Sequence, residues 1–279
     1  MEQIVRNAYA KINWSLLITG KRENGYHELD MLMQEIDLHD ELRFQKSEKT
    51  ELFINGELSG DESNLILKAV RALSKYTGKE LSVRIELQKR IPSRAGLGGG
   101  SSNCAQTMFA LNELFGLNLT IHVMEEIAVR LGADVPYFLH GGLCRVRGIG
   151  EKVDEVSAAP VYHAVIKHVG EGLSTPEVYR VCDEVGYEDT AGNTENTLRG
   201  ILTGNLSLVK ESSANALEKA AFTLDKRIPD MIGRMYASGA LYARMSGSGS
   251  AVYGIFADEM SARTAAAVIP GSIVTFTRA

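Results

Sequence analysis

Hydrophobic and polar residues alternate along the N-terminal stretch 8–18, where Ile12, Trp14, Leu16 and Ile18 share one side and Lys11, Asn13 and Ser15 the other. That period of two predicts a half-buried strand, with Lys11 and Asn13 side by side on the face away from the core. "GKRENGYHELD", Gly20 to Asp30, reads as a loop, and strand-like runs follow at Gln34–Leu38, Glu41–Phe44 and Leu52–Ile54. Between Ser63 and Tyr76 the spacing changes to that of a helix, through Ile66, Ala69, Val70 and Leu73. Leu81, Val83, Ile85 and Leu87 alternate again, so a strand runs into the glycine-rich stretch "IPSRAGLGGGSSNCA". Beyond it, Cys104, Met108, Leu111 and Phe115 mark one helix face that Gly116 is placed to end. Thr120 can cap another helix reaching Leu131, and Pro136 in "GADVPYFLHGG" ends that pattern.

A second half begins near residue 155. "PVYHAVIK" predicts a strand, and "STPEVYRVCD" a helix with Pro176 in its first turn. Asn215–Ser238 reads as two helices broken at Pro229, and "ALYARMSGSGSAVYGIFAD" as strand, glycine turn and strand. A helix over Met260–Val268 and a strand over Ile273–Thr277 complete the pattern. Helices and antiparallel hairpins mix in both halves, which predicts an α+β fold and not a doubly wound parallel sheet.

At 279 residues the chain has room for two domains, expected at 1–155 and 156–279. A net charge of −5 argues against general nucleic-acid binding but leaves room for a local basic pocket. The three cysteines, Cys104, Cys144 and Cys182, form no CxxC pair and read as small buried hydrophobes. "MEQIVRNAYA" lacks the pattern of a signal peptide, and no apolar run is long enough to span a bilayer, so a cytoplasmic protein is expected.

The glycine-rich stretch places four glycines in five positions, Gly96 to Gly100, between a strand and a helix. Such a loop turns its amide N–H groups and the helix dipole toward one point, an anion site. Ser101 and Ser102 add hydroxyl donors, and one of them is placed to cap the helix. The loop is not a P-loop, because Lys-Ser/Thr does not follow Gly100, and not GxGxxG, because Ser101 stands where the third glycine would be. The second glycine turn, Ser246, Gly247, Ser248 and Gly249, is either a plain hairpin turn or a second wall of a ligand site.

Taken together, "AKINWSL", "PSRAGLGGGSS" and "MSGSGSA" resemble the three motifs of the GHMP kinase family. "ITGKRENGYHELDMLMQEIDLHD", "GADVPYFLHGG", "GIGEKV" and "STPEVY" narrow the resemblance to those members that phosphorylate a cytidylyl sugar alcohol, and the similarity runs from about residue 7 to about residue 256. The resemblance implies an N-terminal ribosomal-protein-S5-domain-2-like domain, a C-terminal ferredoxin-like domain, and ATP and substrate between them. It implies Mg²⁺-dependent transfer of the ATP γ-phosphoryl to an alcohol, by a monomer or weak homodimer without nucleic-acid or membrane partners. Its metal ligands remain open.

Carried onto this sequence, the ATP loop is Pro92, Ser93, Arg94, Ala95, Gly96 and Leu97, continued by Gly98, Gly99, Gly100, Ser101 and Ser102. The resemblance makes Asp134 the base and Lys11 its electrostatic partner. From the residues alone, Asp134 reads as a helix-end or turn carboxylate and Lys11 as a solvated strand residue. Tyr26 and His27, and Tyr179 across the ring, are expected at the cytidine, with Asn13 nearer the reacting end. Tyr179 on its own is equally a core residue of its helix. Tyr9 stands where the family usually has Pro, and Asn103 where the ATP loop usually continues with Asp. Two other functions stay open: a homoserine- or mevalonate-type kinase, and a non-catalytic nucleotide-binding regulator.

Overall fold

A computed structural model describes residues 3–59, 61–156, 159–187 and 192–279. The elements in chain order are β1 (Gln3–Lys21), β2 (His27–Lys46), β3 (Glu51–Ile54), β4 (Glu57–Leu58), α1 (Leu65–Thr77), β5 (Val83–Gln88) and α2 (Gly99–Leu114). There follow α3 (Ile121–Ala128), α4 (Tyr137–His140), β6 (Leu143–Gly148), β7 (Lys152–Val156), β8 (His163–His168), α5 (Thr175–Val185), α6 (Thr194–Thr203) and α7 (Leu206–Ser212). The chain ends with α8 (Glu218–Leu224), α9 (Arg227–Ala237), β9 (Tyr242–Met245), β10 (Ala251–Phe256), α10 (Glu259–Val268) and β11 (Ile273–Phe276). The α+β expectation holds.

The chain forms two compact units. The first comprises Met1–Ala10, Leu38–Ile91 and Gly98–Gly141, and the second Lys11–Asp37, Pro92–Leu97 and Gly142–Ala279.

In the first unit the C-terminal part of β2 runs antiparallel to β5, with Glu41 opposite Gln88, and β3 lies parallel to β5 on its other side. Leu42, Phe44, Leu52, Ile85 and Leu87 of these strands are buried, as are Val70 and Leu73 of α1 and Met108 and Leu111 of α2. Helices α1 and α2 pack together. Asn64 caps α1 and Thr120 caps α3 through side-chain oxygens that accept N–H bonds, the second as the sequence predicts.

In the second unit the N-terminal part of β2 pairs with β6, and β6 with β7. A separate antiparallel sheet has the order β11-β8-β10-β9. Trp14 of β1 stacks on Tyr242 at 5.7 Å and meets Tyr162 and Tyr253 edge-on.

Several expectations change. The loop predicted from Gly20 to Asp30 is only a tight turn, and β2 already starts at His27 and runs unbroken for 20 residues. The break between the last two predicted helices falls near Asp225, while Pro229 sits in the first turn of α9, where its missing N–H costs nothing. All three cysteines are free and buried. Burial pushes the Cys104 thiol up to about 12, consistent with an inert core role.

Candidate active site

The face of β1 expected to be solvated is buried. Lys11 is 3% exposed and Asn13 1%, so the prediction of a solvated lysine is overturned. A buried ammonium needs a polar partner, and Lys11 Nζ donates to Asn13 Oδ1 at 2.5 Å. Asn13 Nδ2 in turn donates to the Met31 sulfur at 3.7 Å.

This pair lies under backbone from both glycine motifs. The Lys11 N–H donates to the Leu97 carbonyl at 3.0 Å, and the Ala251 N–H to the Ala95 carbonyl at 2.9 Å. Ser246 Oγ donates to the Gly96 carbonyl at 3.0 Å. Gly247 adopts φ +56°, and a Cβ there would lie 3.1 Å from Lys11 Nζ and 3.1 Å from the Gly96 oxygen. The first motif, the first half of the glycine loop and the third motif therefore converge within the second unit. Ser248 Oγ shares a hydrogen bond with Thr175 Oγ1 at 2.8 Å, which ties the turn to the start of α5.

The other half of the loop, in the first unit, is helix. Gly98 is the N-cap at φ +71°, and Gly99, Gly100, Ser101 and Ser102 form the first turn of α2. The expectation of a serine cap is overturned: no side chain caps α2, because the glycine takes a left-handed conformation that L-residues disfavour. The Gly99, Gly100 and Ser101 amides thus have no intrahelical acceptor, whereas the Ser102 N–H donates to the Gly98 carbonyl at 2.9 Å. Ser102 Oγ is buried and has no hydrogen-bond partner among the described residues. Asp134, half-buried, lies on the turn that leads into α4. Gly132 of the same turn approaches α2, since a Cβ on it would lie 3.9 Å from Ser101 Oγ. Among the described residues, no group of three or more His, Cys, Asp or Glu is placed to hold a metal.

A third cluster forms around His27, at the start of β2 in the second unit. Its ring stacks on Tyr179 with centroids 4.9 Å apart, and Tyr187 meets it edge-on at 6.0 Å. His27 Nε2 lies 2.8 Å from Asp183 Oδ1, and Lys21 Nζ donates to Asp183 Oδ2 at 2.8 Å. The Lys21 hydrogen bond, then that from His27, holds the Asp183 carboxyl below its ordinary value. A carboxylate only accepts, so the neutral imidazole carries its proton on Nε2 and leaves Nδ1 as an acceptor. Tyr26 stands apart from this stack, 59% exposed at the end of the preceding turn.

Residues 64–142 match the family model for the GHMP kinases N terminal domain, and residues 197–272 the model for GHMP kinases C terminal. The chain belongs to the GHMP kinase family. Its relatives include the 4-diphosphocytidyl-2-C-methyl-D-erythritol kinase of Prosthecochloris aestuarii, 39% identical over 95% of this chain and 93% of that one. A crystal structure of 4-(cytidine 5'-diphospho)-2C-methyl-D-erythritol kinase superimposes with a TM-score of 0.84 at 34% identity, over 99% of this chain and 100% of that one. The homoserine kinase of Cytophaga hutchinsonii shares the fold, with a TM-score of 0.74 at 22% identity over 100% and 95% of the two chains.

Three residues of this GHMP kinase's site escape the sequence reading. Asn215 Nδ2 donates to the Met245 and Gly247 carbonyls at 3.1 and 2.9 Å and so holds the glycine turn. Lys21 and Asp183 orient His27. The available signal for Asp183 is its spacing, four residues after Tyr179 on α5, which puts both on one helix face.

Proposed function

We propose that the chain transfers the γ-phosphoryl of ATP to the 2-hydroxyl of 4-diphosphocytidyl-2-C-methyl-D-erythritol. The observation that carries this reading is the 39% identity to a kinase of that name across 93% of its length. The geometry supports it, with the Gly99, Gly100 and Ser101 amides at the start of α2 available to phosphate oxygens and a stacked His27–Tyr179 pair for a planar base.

In this reading the loop Pro92–Ser102 holds the ATP phosphates, its amides donating to their oxygens. Lys11 supplies a fixed positive charge, which costs no reorganisation because Asn13 already holds it. Asp134 accepts the proton of the acceptor hydroxyl. A carboxylate is far too weak a base to take an alcohol proton in advance, so the transfer is late, as the phosphorus–oxygen bond forms.

Mg²⁺, when bound, neutralises charge on the transferring phosphates. The residues fit it in one respect: the orphaned, buried Ser102 hydroxyl is an oxygen donor in need of a partner. The lack of a carboxylate cluster among the described residues suits a cation held largely by the nucleotide itself.

The test is incubation with ATP and the cytidylyl substrate, followed by detection of the phosphorylated product. Homoserine, mevalonate and methylerythritol lacking the cytidylyl group serve as competing acceptors. Equal turnover of any of these would overturn the substrate assignment, and absence of ATP consumption with every acceptor would overturn the kinase reading.

A further inference from the structure

Asp40 is a carboxylate with no exposed surface. Burying one is expensive unless every lone pair is met, and here each oxygen accepts two donors. Oδ1 accepts the backbone N–H groups of Arg90 at 2.6 Å and Ile91 at 2.8 Å. Oδ2 accepts Lys89 Nζ at 2.8 Å and Asn103 Nδ2 at 3.0 Å. These donors belong to two segments that bracket the glycine loop: the exit from β5 that becomes the loop, and the first turns of α2 beyond it. Lys89 Nζ also donates to the Ile91 carbonyl, so the strand exit is gripped at its N–H and its C=O. Gly99 closes against the same segment, where a Cβ would lie 3.0 Å from Ile91 Cγ2 and 3.2 Å from Lys89 Nζ.

We propose that Asp40 is a positioning residue for ATP: it clamps the entry of the glycine loop to the start of α2 and thereby fixes the direction of the first-turn amides. This rests on the assignment of that loop to ATP. The clamp also accounts for Asn103. Because Asp40 can only accept, the residue at 103 must present a donor, and an aspartate there would set two carboxylates face to face. Burial lowers the Lys89 pKa and the Asp40 charge opposes that shift, so the ammonium depends on its partner.

The experiment compares wild type, Asp40→Asn, Asn103→Ala and the exchange Asp40→Asn/Asn103→Asp. ATP affinity is measured by calorimetry without acceptor, together with the KM of each substrate, kcat and the Tm of the ligand-free protein. In Asp40→Asn an amide NH₂ confronts donors, and ATP affinity should fall roughly tenfold or more, with the KM of the cytidylyl substrate unchanged. In the exchange, the amide at position 40 accepts the two backbone N–H groups and donates to the carboxylate at position 103, which pairs with Lys89. ATP affinity should then return to within about threefold of wild type. Folded Asp40→Asn with wild-type ATP affinity would overturn the clamp. So would equal weakening of both substrates with no recovery in the exchange. If Asp40→Asn does not fold, Asn103→Ala removes one arm only, and unchanged ATP affinity in that variant would overturn the clamp. Wild-type protein that binds no ATP would instead overturn the kinase reading itself.

Discussion

Gly96 lies so close to Ser246 that a Cβ on it would sit 2.1 Å from the Ser246 carbonyl oxygen. Two motifs separated by 150 residues thus meet backbone to backbone, and only a residue without a side chain fits the join.

That contact separates the glycines by role. Gly96 is also at φ +75°, whereas Gly100 lies exposed in α2, its nearest neighbour for a Cβ being Leu65 Cδ1 at 3.8 Å. Gly96→Ala should destabilise the protein strongly in thermal unfolding. Gly100→Ala should stabilise it by about 0.5–1 kcal/mol, the usual advantage of Ala over Gly in a helix.

The two groups assigned to phosphoryl transfer should separate binding from turnover. Asp134→Asn should keep both substrates bound and lose about 10²–10⁴ in kcat. Lys11→Met should also lose turnover, and the double variant should lose less than the product of the two, as groups acting on one step do. Near-wild-type kcat in Asp134→Asn would place the base elsewhere.

At the His27 cluster the effects should fall on the cytidylyl substrate alone. Tyr179→Ala removes the ring stacked on His27 and should weaken that substrate by about 1–3 kcal/mol in KM, the scale of base–aromatic stacking, with the ATP KM unchanged. Tyr26→Ala should act in the same sense if its exposed ring closes over the base. A wild-type KM would exclude Tyr26 from the site.

Asp183 gives this cluster a defined pH dependence. Its folded value lies below the ordinary 3.8, so its contribution to stability is complete above that value and is lost as pH falls through the lower folded one. Wild type should therefore exceed Asp183→Asn in denaturant midpoint at neutral pH, and the two should converge only below pH 3.8. A difference that vanished well above pH 3.8 would rule out the Asp183 carboxylate as its source.

Much of this was legible in the alternation of residues, and the exceptions share a cause. β1 and β5 follow from period-two patterns, β9 and β10 from two apolar runs on either side of a glycine turn, α1 from helical spacing, α3 from its Thr120 cap and α5 from its first-turn Pro. β2 looked broken because Asp37, His39 and Asp40 interrupt its apolar pattern, yet Asp40 is buried. A charge matched by four donors looks the same in sequence as one facing water. Lys11 misled in the same way. The first turn of α2 was hidden because its glycines carry no helix preference, although the phosphate-loop character of the stretch was plain from those same glycines. Asp183 and Asn215 were out of reach for a different reason: Asp183 meets His27 across 156 residues, and Asn215 meets the glycine turn across 30 or more. No local pattern records such pairs.

Trp14 is the only tryptophan in the chain, has no exposed surface, and donates its indole N–H to Gln34 Oε1 at 2.8 Å. It neighbours Asn13 along β1, and tyrosine hydroxyls grip both residues: Tyr253 donates to the Asn13 carbonyl at 2.7 Å and Tyr242 to that of Trp14 at 2.9 Å. The protein therefore carries a built-in fluorophore one residue from its candidate site. Its emission should be short in wavelength and partly quenched by the stacked Tyr242 ring, and a red shift should report the moment the strand bearing Lys11 lets in water.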